Sequence, residues 1–183
     1  MRIFMLASIF IAGCSESIGL EPTKNSDTEC TFQFNAEPAC SYKADRYSVK
    51  VSLITKPLVD DEIALTTAKV TFDGHQHALV ISPDVSMIKG DIGIISFSDI
   101  NFDNIPDIAV STSFGVANQY FYYWIYDPKN KNYQMIGNYP KLSPNSIDKT
   151  ISASVKQNAA NYETQKFFWD GKKLIQKKSA YTK

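Results

Sequence analysis

Histidine and cysteine are scarce in this chain of 183 residues, which has two of the first and three of the second, and both histidines stand on one short stretch at His75 and His77. Zinc sites draw on four nitrogen and sulfur ligands at set spacings, and no such spacing is present. A surface strand accounts for the two histidines. No Gly-x-Ser-x-Gly elbow presents a serine nucleophile, and no glycine-rich run could cradle a phosphate. Asp60-Asp61-Glu62 places carboxylates side by side in a polar connection, which reads as a solvated turn rather than an acid–base pair. Neither sign of charge is in excess, with 19 basic and 19 acidic residues, and that balance argues against general nucleic-acid binding. No apolar run is long enough to span a bilayer as a helix, and no long stretch carries a helical period. The chain is therefore expected not to be an enzyme, with no catalytic residues to name.

What the chain has instead is strand pattern. Ten Tyr and eleven Phe favour strands, and period-two alternation recurs from Arg46 onward. Tyr47, Val49, Val51 and Leu53 share one face of the stretch from Arg46 to Ile54. Lys69 to Phe72 and His75 to Ile81 flank Asp73-Gly74, the signature of a type I′ hairpin turn. Ile92 to Ile100 and Ile108 to Phe114 are apolar enough for central strands. Tyr120 to Tyr126 puts Tyr120, Tyr122, Trp124 and Tyr126 on one face and Phe121, Tyr123 and Ile125 on the other, which predicts a core strand. Tyr133 to Ile136, Ile151 to Val155, Tyr162 to Trp169 and Lys173 to Ala180 follow. Pro140, Pro144 and Asn145 mark a loop, and Asp170-Gly171 is expected to close a second tight hairpin. The predicted fold is all-β, with antiparallel hairpins forming a sandwich or a small propeller-like domain. Residues 1–128 hold sixteen acids against eight bases and residues 129–183 three against eleven, but interleaving strands could mix the two halves in space.

Met1-Arg2 is a positive start, Ile3 to Ala12 an apolar core, and Ile11-Ala12-Gly13-Cys14 ends it. This resembles a bacterial lipobox, the competing reading being an ordinary signal peptide that ends near a cysteine. The resemblance implies a lipoprotein signal peptide over 1–13, lipidation of Cys14, and attachment to the membrane through acyl chains whose buried methylenes each contribute about 0.8 kcal/mol. Ser15 after the cysteine resembles sorting to the outer membrane, so the expected location is the periplasm, lipid-anchored. Residues 14–29 are polar without an apolar period and are expected to be a tether, leaving 30–183 as a single domain. An exported chain meets an oxidising compartment, and with Cys14 lipidated, Cys30 and Cys40 are expected to form a disulfide.

The acidic stretch from Asp99 to Asp107 joins the two central strands. Asp99, Asn101, Asp103 and Asp107, with the Ile105 carbonyl, supply oxygens at the spacing that lets a turning backbone converge them on Ca²⁺. Ile100 and Phe102 occupy the intervening positions and can enter the core. Asn104 stands where glycine is usual, and it tolerates a positive φ next best. Val110 falls where an EF-hand places its glutamate, which excludes that motif. The bland alternative is a metal-free Asp/Asn turn, but carboxylates crowded into so short a loop repel one another unless a cation lies between them.

Asp-Ile-Asn-Phe-Asp-Asn-Ile-Pro-Asp-Ile-Ala-Val resembles the calcium loop of integrin-type propeller repeats, although it occurs once. That loop, a Gly-containing segment, Tyr-Trp-Ile-Tyr-Asp and a closing Phe-Phe-Trp-Asp-Gly-Lys-Lys-Leu hairpin together resemble a family of calcium-binding periplasmic lipoproteins similar to invertebrate-type lysozyme inhibitors. The likeness spans Ile92 to Tyr181. It implies an immunity protein against peptidoglycan-cleaving, lysozyme-like effectors of type IV secretion systems. It also implies an inhibitory loop entering the enzyme's cleft, here Ser113, Phe114, Gly115, Val116, Ala117, Asn118, Gln119 and Tyr120. The family's Ser-Gly-x-x-Tyr run has no counterpart in this segment. A second reading, from a different class, is a calcium-dependent carbohydrate-binding or adhesive surface lipoprotein, which requires the aromatic strand to be exposed.

Overall fold

The computed structural model describes residues 28–34, 39–44, 46–59 and 61–177. The expected signal peptide, Cys14 and the tether as far as residue 27 lie outside the described residues. Fourteen strands and no helix are present among the described residues, and they form three antiparallel sheets. In the first sheet, β2 (Ala39–Lys43), β3 (Ser48–Val59), β4 (Glu62–Phe72) and β5 (His75–Val80) lie in that order, and β6 (Ser86–Ile88) also pairs with β4. The central sheet runs β1 (Thr28–Gln33), β7 (Ile92–Ser98), β8 (Asp107–Ser111), β9 (Tyr120–Asp127) and β10 (Asn132–Pro140). The third holds β11 (Leu142–Asn145), β12 (Thr150–Lys156), β13 (Tyr162–Trp169) and β14 (Leu174–Lys177).

The central sheet is buried on both faces, and side-chain alternation along each strand sends residues to one core or the other. Ile95, Phe97, Ile108, Val110, Trp124 and Tyr126 face the first sheet, where they meet Val49, Val51, Leu65, Val70 and Phe72. Ala109, Phe121, Tyr123 and Ile125 face the third sheet and meet Leu142, Ile151, Ala153, Phe167 and Leu174. The result is a sandwich of three layers. Every residue of β8 is buried, and the apolar runs read as central strands are indeed the middle of the stack. The aromatic strand divides between the two cores along the alternation expected of it.

Covalent and steric details fix the edges. Cys30 on β1 is bonded to Cys40 on β2, with the Cα atoms 5.7 Å apart, so the disulfide joins the central sheet to the first. β1 begins at Thr28, two residues ahead of the expected start of the domain. Gly93 lies opposite Phe32 in the β1–β7 ladder, and a Cβ there would run into the Phe32 ring. The missing side chain is what lets that ring lie flat across the strand.

The Asp73-Gly74 turn has both residues at positive φ, 45° and 83°, as a type I′ hairpin requires. Two expectations are corrected. Pro140, Pro144 and Asn145 do not mark a loop: Pro140 ends β10 opposite Tyr120, and Pro144 and Asn145 lie in β11 opposite Ile151 and Thr150; β10 and β11 are edge strands among the described residues, and an edge is where a residue without an N–H fits a ladder. Asp170-Gly171 is not a two-residue hairpin, since the ladder closes at Trp169 and Leu174. Asp170 Oδ1 instead accepts the amides of Lys172 and Lys173 at 2.9 and 2.8 Å, and the side chain organises a wider turn. The third layer is also drawn wholly from the basic part of the chain, so there the two charge halves do not interleave.

Candidate functional site

The antiparallel course of β8 puts the two loops singled out in the sequence at opposite ends of the central sheet. The acidic loop, residues 99–107, enters the strand, and the expected inhibitory loop, residues 113–120, follows its exit and ends on the first residue of β9.

In the entering loop the carboxylates are turned onto backbone amides. Asp99 accepts from the amides of Asp103 and Asn104, both at 2.9 Å. Asp103 Oδ1 accepts from the Ile105 amide at 2.8 Å and its Oδ2 from the Asn101 side chain at 2.8 Å. Asp107 is 1% exposed and accepts from the amides of Ile100 and Tyr126 at 2.8 and 3.0 Å. Its carboxyl thus ties the loop to β9. Tyr133 adds a link from β10 by donating its hydroxyl to the Pro106 carbonyl at 3.4 Å. Ile100 is fully buried, Phe102 packs partly on the second core, and Ile105 enters the first. Asn104 has a φ of 65°, as expected of the glycine-like position, but Phe102 also has a positive φ of 63°. No sequence signal marks that, because an aromatic residue is not one that favours the left-handed region. The Lys149 ammonium lies over its ring, 4.9 Å from the centroid.

Burial pushes the Asp107 carboxyl well above the usual carboxylate range against the pull of the two amides, and Asp103 and Asp99 push it further. Burial also raises Asp99, opposed by the Asn104 amide and reinforced by Asp103. The three carboxyls are close enough to repel, and neither ion pair found among the described residues, Lys89–Asp61 or Lys141–Glu29, reaches them. Among the described residues no three acidic, histidine or cysteine side chains converge as a ready cage. The side-chain donors are nonetheless all oxygen, the chemistry a hard cation takes.

The leaving loop is braced from within. Ser113 Oγ accepts from the Tyr120 amide at 2.8 Å and donates to the Asn118 carbonyl at 3.3 Å. The Asn118 side chain grips β12, accepting from the Lys156 amide at 2.7 Å and donating to its carbonyl at 3.0 Å. The Lys141 amide donates to the Gln119 carbonyl at 3.2 Å, and Phe114 packs edge-on against Phe32. What remains free is the tip: Gly115, at a φ of 64°, Val116, at 55% exposure, and Ala117. Tyr120, at 36%, stands at the base.

Elsewhere His75 is exposed, as a surface strand predicts, but His77 turns inward against Tyr126 and Tyr133. Its Nε2 is buried without a hydrogen bond, and burial, with His75 nearby, lowers its pKa. The aromatic strand that a glycan-stacking module needs on its surface is enclosed except at Tyr120 and in part Tyr122. No family model, no curated protein and no solved structure matches this chain.

Proposed function

We propose that the protein is a lipid-anchored periplasmic immunity protein that inhibits a peptidoglycan-cleaving, lysozyme-like effector of a type IV secretion system, working by insertion of the loop formed by residues 113–120 into the enzyme's cleft. The observation that carries this reading is the bracing of that loop. The side chains of Ser113 and Asn118 are spent on its own base and on β12, while an uncharged tip that includes Val116 is left in solvent. A loop already ordered loses little entropy on binding, and an apolar tip avoids burying a charge beside the carboxyl pair of a glycosidase. Calcium belongs to the same reading. Asp99, Asn101, Asp103, the Ile105 carbonyl and Asp107 would hold it, and the ion would supply the positive charge that the loop lacks.

The test is lysis of purified peptidoglycan by a lysozyme-like effector encoded beside this gene, titrated with the mature domain. Stoichiometric inhibition is expected. Val116→Asp should weaken it about thirtyfold, the scale of a hot-spot residue of about 2 kcal/mol, without lowering the melting temperature. Full hydrolase activity at a several-fold molar excess of folded domain would refute inhibition.

A further inference from the structure

At the end of the central sheet that carries the acidic loop, a cleft of about 670 Å³ opens between the β9–β10 turn and the β13–β14 turn. We infer that this cleft binds an oligosaccharide, with Trp169 as the surface on which a sugar ring stacks. The chain has two tryptophans, and they are placed differently. Trp124 is sealed in the first core at 2% exposure, whereas Trp169, the last residue of β13, packs on the second core and also lines the cleft. Ile136 extends the apolar wall. A sugar presents flat patches of C–H to such a surface and hydroxyls around its rim, and each hydroxyl seeks both an acceptor and a donor.

The opposite wall is set up to supply them. Asp127 Oδ1 accepts from the amides of Lys129 and Asn130 at 2.9 and 3.3 Å. Its Oδ2 accepts from the side-chain nitrogens of Asn130 and Gln134 at 2.6 and 3.1 Å. Hydrogen bonding by Asn130 is the foremost cause holding the carboxyl below the usual range, so it stays ionised and keeps these amides in place. With both nitrogens committed, Asn130 Oδ1 and Gln134 Oε1 are left as fixed acceptors without a hydrogen bond from the described residues. Lys172, in no ion pair among the described residues, supplies a donor. The Asp127 carboxylate at the centre of this wall disfavours a phosphate ligand, which separates a sugar from a nucleotide.

The site lies at the other end of the sheet from the inhibitory loop, so sugar binding and hydrolase inhibition can fail separately. The experiment is titration of the mature domain with chitotetraose and with cellotetraose, followed by tryptophan emission and by calorimetric heat. Binding of at least one tetramer is expected, with a change in emission. That change should vanish in Trp169→Phe while some heat remains, because the buried Trp124 does not report on the cleft. Binding should be lost in Trp169→Ala and weakened about tenfold in Gln134→Ala, whose side chain is exposed and whose loss should leave the melting temperature unchanged. No heat and no emission change with either sugar at its solubility limit would overturn the inference, as would undiminished binding in both Trp169→Ala and Gln134→Ala.

Discussion

Asp107 is an ionisable side chain held away from water by the strands it joins, and its burial sets a pH dependence whose sign can be worked out. With Asp107 and Asp99 raised in the folded state, the native protein binds more protons than the unfolded chain above the ordinary carboxylate pKa of about 4. Without calcium their contribution to stability therefore grows as pH falls from neutral toward that value, and it levels off below it. Asp127, Asp148 and Asp170, lowered chiefly by hydrogen bonds in their turns, act only below the same value and leave that window clear. His77 opposes within it, since its lowered pKa removes stability as pH falls below 6.5. Asp107→Asn keeps His77 and isolates the carboxyl. Calorimetry in chelator should show a melting temperature that falls less steeply, or rises more, on acidification from about pH 7 to about pH 5 in the wild type than in Asp107→Asn. Calcium at a hundred times its dissociation constant should add about 2.7 kcal/mol, several degrees, near neutrality. That increment should shrink on acidification, because protons compete for the same oxygens. Identical melting with calcium and with chelator would remove the ion.

At the scale of the element, β8 and its two loops behave as one part. Asn118, which the sequence offered as a group for the partner enzyme, has both ends of its amide on β12. Asn118→Ala should then cost about 1–3 kcal/mol in melting measurements, through the two broken hydrogen bonds and the unpaired backbone groups they leave. It should also weaken inhibition by freeing the loop rather than by removing a contact. An unchanged melting temperature would mean that the clamp is not formed in solution. The sequence exposed what is periodic or local: the two faces of β9, the apolar runs of β7 and β8, and the Asp73-Gly74 turn. It hid what depends on distant partners. The Asn118 amide meets a strand 38 residues further on, Pro144 fits its ladder because β11 stands at the edge of its sheet among the described residues, and Phe102, at its positive φ, packs on the second core with Lys149 over its ring. In the cleft, Trp169 and Asp127 come from separate hairpins, and nothing in either motif announces the other.

For the whole molecule, the seam that matters most is between the first and central sheets, where the Cys30–Cys40 bond crosses from one layer to the next. Cys30→Ser with Cys40→Ser should lower stability by no more than about 3 kcal/mol, as expected for so short a closed loop. The loss should be concentrated at β1, whose amides are expected to exchange with solvent faster while those of β7 and β8 stay protected. Equal protection of β1 in the oxidised and serine forms would show that pairing with β7 alone holds it. The position of that bond also bears on the order in which the chain is made. β1 comes first but lies against β7, and the whole first sheet is spelled out between them. A polypeptide emerging from its amino end completes β2 to β6 while β1 has no strand to join. A bond between Cys30 and Cys40 formed at that stage would hold the waiting segment beside the layer already built until Ile92–Ser98 arrives, so a covalent link made in the first quarter of the chain would keep open the place of a pairing completed in its middle.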